Sequence, residues 1–196
     1  MASKTKTEDA NTTAQIAMDL ERLARLIRQA SHALGLKPVQ WEALRFLARA
    51  NRFSNAPLAL SKYLGTTKGT VSQSLLVLEK KGLIGKSERA GNPRSINLII
   101  TEEGRDLLLQ DPLLELTRDV ENLKPKIKKR FAKGLGELLD AERQRQHEPN
   151  FGPCGACRYF RERRQADSKT PHWCMFFEAA LTEAEARLIC VEQVED

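Results

Sequence analysis

No apolar run in this chain approaches the roughly 20 residues that a membrane-spanning helix needs, so no membrane contact is expected. The first 13 residues, MASKTKTEDANTT, are polar throughout and lack the apolar stretch of a signal peptide. Aromatic residues are scarce, at 6%, and His32, His147 and His172 are the only imidazoles. There is no glycine-rich phosphate loop, no carboxylate pair at a defined spacing and no Ser/His/Asp arrangement. Those absences argue against an enzyme. Cysteine is missing from the first 153 residues, which excludes a disulfide scaffold over that length. The expectation is a soluble, cytoplasmic protein without catalytic machinery.

What is present is charge and a usable core. The 196 residues suit one domain with an appendage, and 41% are apolar, too many for a disordered chain. Residues 148–196 hold 6 basic and 9 acidic residues, net −3, which leaves 26 basic and 17 acidic, net +9, for residues 1–147. A basic body with a mildly acidic tail suggests a polyanionic partner.

Apolar residues recur at Ile16, Leu20, Leu23, Ile27, Ala30 and Leu34, one stripe of an amphipathic helix ended by Gly35. Residues 1–12 ahead of it are expected to be disordered. Pro38 opens a second helix, to Ala50, with Trp41, Leu44 and Leu47 on its buried side. A polar loop, NRFSN, leads to a short helix over Pro57–Leu64. After Gly65, Thr66 and Thr67 are placed to cap a helix from Lys68 to Lys81. Its apolar face is Val71, Leu75 and Leu78; Leu76 falls off that face. Beyond Gly82, Leu83–Glu88 and Ile96–Ile100 read as strands joined by the turn RAGNPR. Thr101 caps a further helix, patterning continues past Asp111-Pro112 to Leu123, and a long helix follows Pro125 with Ile127, Phe131, Leu135 and Leu138/Leu139 on one side.

A helix, a tight turn, a capped helix and a basic hairpin form a shape suited to duplex DNA. A helix about 10–12 Å wide matches the major groove, where base edges are distinguishable. Thr67, Lys68, Thr70, Ser72 and Gln73 supply short polar side chains at the start of the capped helix. Arg89 and Arg94 flank the hairpin turn, where a neighbouring minor groove attracts arginine. The same residues would also serve as an ordinary solvated helix start and hairpin.

The segment Leu36–Leu107 resembles the winged helix-turn-helix of the MarR (multiple antibiotic resistance regulator) family. The likeness is carried by LKPVQWEALRFLA, LSKYLGTTKGTVSQSLLVLEKKGLI and NPRSINLIITEEGRDLL. With flanking helices it extends over residues 13–147. It implies a mainly α fold with a small β-wing (α+β) and a homodimer built from the first and last helices. Ile16, Leu20, Leu23, Ile27, Phe131, Leu135 and Leu138 would then lie in the dimer contact. It also implies a pseudopalindromic double-stranded DNA operator and a transcriptional regulator, in most relatives a repressor. Gln73 matches the family's base-reading position and Arg94 its wing arginine, while Asn92 stands where a wing aspartate is expected.

Residues 148–196 form a separate tail. Cys154, Cys157, Cys174 and Cys190 all lie there, in the spacing Cys-x2-Cys-x16-Cys-x15-Cys. Chance would place four cysteines in the last 43 residues about once in 400 sequences, so the clustering points to metal ligation. Zinc ribbons bring their ligands as two close pairs. One close pair and two lone cysteines favours an iron–sulfur cluster over Zn²⁺, with plain thiols the third option. Cys190 falls in a helix-like stretch, Glu183–Val191, and His172 sits two residues before Cys174. A cluster there would make the regulator a sensor of redox state, iron or a reactive gas, acting by shifting the dimer helices. The alternatives are a repressor answering a small lipophilic molecule with a zinc-stapled tail and, more remotely, a nucleic-acid enzyme.

Overall fold

The computed structural model describes residues 2–89, 92–163 and 169–195, apart from the side chains of 2–10, 89 and 92–95. Its elements are α1 (Ala2–Ala30), α2 (Pro38–Arg49), α3 (Pro57–Tyr63), α4 (Lys68–Lys80), β1 (Ile84–Arg89), β2 (Asn92–Ile100), α5 (Glu102–Leu108), α6 (Leu113–Glu121) and α7 (Pro125–Gln146). A 3₁₀ turn (Cys154–Ala156), β3 (Phe160–Arg161), β4 (His172–Cys174), β5 (Ala179–Leu181) and α8 (Glu183–Ala186) complete it.

The first helix begins at Ala2, where the sequence suggested disorder over 1–12. No glycine or proline interrupts Ala2–Ala30, and adding turns to an existing helix costs little once it is nucleated. It stops at Ala30, short of Leu34, which takes φ 53°; the Ser31 hydroxyl donates to the Ile27 carbonyl at 2.8 Å.

The core sits between α2, α3, α4 and the β1–β2 hairpin. Trp41, Leu44, Phe46, Leu60, Leu78 and Leu98 are almost wholly buried in it. Val71, Ser74, Leu75 and Leu78 form the inner face of α4, and Leu76 points to solvent at 50% exposure, which explains its misfit with the stripe. Gly82, at φ 72°, closes α4 in a left-handed conformation that a side chain would strain.

β1 and β2 pair antiparallel from Ile84↔Ile100 to Glu88↔Ile96, then slip so that Arg89 faces Asn92. β2 thus starts four residues before the expected Ile96. Residues 93–95 are left without partners in the ladder, in keeping with Pro93, which has no N–H to give it. Two further joints hold the body. Asp111 accepts two 2.6 Å hydrogen bonds from the Arg45 guanidinium on α2 and one, at 2.8 Å, from the backbone N–H of Leu113 at the head of α6. Gly104 on α5 lies so close to the hairpin that a Cβ there would stand 2.2 Å from the Leu83 carbonyl oxygen and 2.9 Å from Ile100. Gly104→Ala is therefore expected to lower stability by about 1–3 kcal/mol, through forced backbone displacement, in a urea titration at unchanged m-value.

α1 and α7 behave differently from the core helices. Ile16, Leu23, Phe131 and Leu138 are 51, 37, 42 and 51% exposed, and the groove between the helices is lined by Ile16, Leu20, Ile127, Phe131, Leu135 and Leu138. Two long helices thus present apolar faces to solvent in the single chain.

Candidate nucleic-acid interface and cysteine-lined cavity

The start of α4 is organised by its cap. The Thr67 hydroxyl accepts from the Thr70 N–H at 3.2 Å and lies 3.0 Å from the Thr70 hydroxyl. Thr67, Lys68, Thr70, Ser72 and Gln73 are all exposed, because Val71, Ser74, Leu75 and Leu78 turn the opposite face into the core. All five expected residues thus share one solvent-facing surface at a helix N-terminus, where the partial positive charge favours phosphate. A cleft beside it is lined by Pro57, Leu58, Lys68, Ser72, Lys86 and Ile96. Lys86, on β1, was not singled out from the sequence; only the hairpin pairing swings it beside α4, where it bonds Glu79. The side chains of Arg89, Asn92 and Arg94 lie outside the described residues.

The tail does not stand apart from this body. Ile189 and Val191 are buried in the same core as α2–α4. The Ile189 N–H donates to the Arg49 carbonyl at 2.7 Å, and the Asn51 N–H donates to the Ile189 carbonyl at 2.9 Å. The Val191 N–H donates to the Ser54 hydroxyl at 3.0 Å. Phe53 stacks on Phe177 with ring centroids 4.1 Å apart, Arg52 pairs with Glu185, and Lys62 of α3 pairs with Glu192. These contacts reach the end of α2, the NRFSN loop and α3. The loop's Asn51 and Ser54 are fully buried polar residues, a role invisible without the partner segment some 135 positions away.

Three separate local structures bring the four cysteines to one cavity. Cys154 opens the 3₁₀ turn and accepts from the Cys157 N–H at 2.8 Å, which forms the close hook. Cys174 faces Phe160 across the β3–β4 pair. Cys190 bridges Gly152, its N–H donating to the Gly152 carbonyl at 2.9 Å. That bridge replaces the helix expected over Glu183–Val191: α8 ends at Ala186, and from Ile189 the backbone bonds to Arg49, Asn51 and Gly152 instead of continuing the helix.

The four thiols line a mostly enclosed, apolar-walled space with Phe53, Tyr159, Phe160, Phe176, Phe177 and Leu181. All four cysteines are free. Burial, reinforced by repulsion from the thiolates of Cys190, Cys174 and Cys157, pushes the Cys154 thiol up to about 12. Burial also raises Cys190, opposed by hydrogen bonds from the Glu192 backbone and the Asn51 and Ser54 side chains. Among the described residues, no three His, Cys, Asp or Glu side chains are gathered as ligands of a single metal ion.

His172 is not part of that set. It is buried, its Nδ1 accepts from the Arg163 N–H at 3.2 Å, and its Nε2 lies 2.7 Å from Glu183. With Nδ1 occupied as acceptor, Nε2 carries the proton and donates it to the carboxylate. That bond, with Arg187, holds the Glu183 carboxyl below its ordinary value. His172 thereby pins β4 to the first turn of α8.

Residues 34–94 match the model of the MarR family. No curated protein matches the chain. Among solved structures, MepR of Staphylococcus aureus, a transcription regulator of the multidrug efflux pump MepA, is 21% identical, with a TM-score of 0.52 over 66% of this chain and 96% of its own. A MarR transcriptional regulator from Methanosarcina mazei Go1 is 18% identical, with a TM-score of 0.54 over 67% and 98%. The S. aureus MepR–DNA complex gives 19% identity and a TM-score of 0.53 over 64% and 96%. About a third of this chain has no counterpart in these proteins, and all four cysteines lie outside the family match. Residues 34–94 thus resemble the MarR family, and the chain shares its fold with these solved regulators.

Proposed function

We propose that the protein is a transcription regulator that binds a pseudopalindromic duplex DNA operator as a homodimer and represses by occupying it. The observation that carries this reading is the capped start of α4. Five polar side chains stand together in solvent there, on a helix whose other face is locked in the core. That makes α4 a rigid rod of the right width to enter a major groove, with its dipole directed at the phosphates. The net charge of +9 over residues 1–147 supports it, as does the binding of DNA by MepR, which shares the fold. In this reading Gln73 reads a base, while Lys68 and Lys86 meet the backbone. The exposed apolar faces of α1 and α7 are covered by the second copy, since apolar patches of that extent are rarely left bare. The input that changes operator occupancy enters through the C-terminal cysteine segment, which bonds directly to the loop ahead of α3.

The test is selection of bound oligonucleotides from a random duplex pool, followed by anisotropy titrations. A defined palindromic motif is expected. Gln73→Ala should relax preference at one position per half-site by about 1–3 kcal/mol. Lys68→Ala should weaken binding to all sequences and reduce the salt slope by about one unit per half-site. Binding indifferent to both changes, or no retention of duplex DNA at low salt, would overturn the reading.

A further inference from the structure

Four thiols brought to one cavity by three unrelated local structures have no part in reading DNA. The space between them is walled by aromatic and aliphatic side chains, and all four cysteines are free. One close pair of cysteines and two that arrive singly, set in a dry, apolar shell, is a ligand arrangement suited to an iron–sulfur cluster. Asn51 lines the cavity together with Cys190, and the Ser54 hydroxyl accepts from the N–H of Val191, the next residue, so polar groups stand close to this ligand position. His172 and Glu183 are committed to each other, and Glu185 to Arg52 and the Thr182 N–H, so these neighbours do not compete as ligands.

The cavity wall includes the loop that leads into α3. Asn51 and Phe53 line the cavity directly. The same loop donates from the Asn51 N–H to the Ile189 carbonyl, accepts from the Val191 N–H through the Ser54 hydroxyl, and accepts a 2.6 Å bond from the Leu98 N–H of the wing through the Asn55 carbonyl. Two residues later it enters α3 at Pro57.

We propose that Cys154, Cys157, Cys174 and Cys190 bind an iron–sulfur cluster in this cavity, and that its presence sets the placement of α3 and α4 through residues 51–55. On binding, each thiol releases its proton to solvent as its sulfur bonds an iron. The protein's oxidation state does not change in that step. With the site filled, Asn51, Ser54 and Phe53 are held from the cavity side, and the loop, α3 and the wing are held in one arrangement. With it empty, the loop loses that support on its cavity side and keeps its contacts to Phe177, Glu185, residues 189–191 and Leu98. The regulatory meaning of this coupling rests on the DNA-binding reading above, whereas iron uptake and loop ordering do not.

The experiment uses the full-length chain, purified anaerobically and reconstituted with ferric iron, sulfide and an excess of a small thiol, which supplies the electrons that a mixed-valence cluster needs. The expected result is a brown protein carrying about two or four irons, and as many sulfides, per chain. Hydrogen exchange at the α3 amides is expected to be at least about tenfold slower in the loaded than in the unloaded form. Cys157→Ser and Cys174→Ser, at half-buried positions, should each keep the helical circular dichroism and lose the iron. A colourless protein with about one zinc per chain overturns the assignment. So does a chain that takes up no iron after reconstitution, or iron retained by both serine variants. Equal exchange at α3 with and without the cluster overturns the coupling. Because none of these readouts uses DNA, a failed operator search and a failed cluster assignment show up separately.

Discussion

A chain carrying Ile16→Glu together with Leu138→Glu is expected to fold normally, run as a monomer and lose operator affinity by about a thousandfold or more. Both side chains are 51% exposed in the single chain, so charge there leaves the α2–α4 core untouched. In the proposed homodimer each substitution occurs twice across a two-fold axis. Each apolar side chain removed from the subunit interface costs about 1.5–3 kcal/mol, before the cost of burying carboxylates. DNA binding falls much further than one subunit's share, because half-sites about 34 Å apart are engaged together only when two recognition helices are held at that spacing. A single winged helix keeps its own contacts and loses the gain from linkage, which amounts to about 10²–10⁴ in affinity. Sedimentation shows the oligomeric state, and anisotropy on the selected operator shows the affinity. A charged variant that remains dimeric places the subunit contact elsewhere, and one that is monomeric yet binds as tightly removes the need for a dimer.

Asp111→Ala is expected to reduce folding stability by about 2–4 kcal/mol, the largest loss for a single side chain outside the apolar core. The carboxylate is 8% exposed and holds the Arg45 guanidinium through two hydrogen bonds while capping the head of α6. Removing it strands a mostly buried cation on α2 and frees the Leu113 N–H, so the penalty combines an unpaired charge with a missing cap. Asp111→Asn retains an acceptor for Leu113 and for one guanidinium N–H and should lose about half as much. Urea midpoints at neutral pH separate the three proteins. Equal stability of the alanine and asparagine variants would mean that charge, not capping, carries the joint.

The capped helix α4 and the starts of its neighbours were legible from local chemistry. Thr67 before a run with Val71, Leu75 and Leu78 on one face, ended by Gly82, defines α4 without any knowledge of its neighbours. The exposure of Thr70, Ser72 and Gln73 follows from the same period of 3.6 residues. Pro38, Pro57 and Pro125 marked helix starts in the same way. Weakly patterned positions were less legible. Residues 2–12 have no apolar stripe, and they are helical because nothing in them breaks a helix begun downstream. Lys86 carried no signal, since its place beside α4 depends on hairpin pairing.

The cysteine segment divides between the two levels. Spacing alone marked four ligand-type residues as a group, and the structure brings all four to one cavity. It did not reveal where the cavity would sit. The stretch around Cys190 has helical periodicity, yet its backbone bonds to Arg49, Asn51 and Gly152, and nothing in either segment announces a partner so distant in the chain. Local periodicity, capping residues and ligand spacing therefore determined the winged helix and the identity of the thiol set, because those features depend on neighbours within a few residues. Only tertiary packing decided that the thiols adjoin the loop feeding α3 and that α1 and α7 leave apolar faces bare, because burial and long-range hydrogen bonds depend on which distant segments meet.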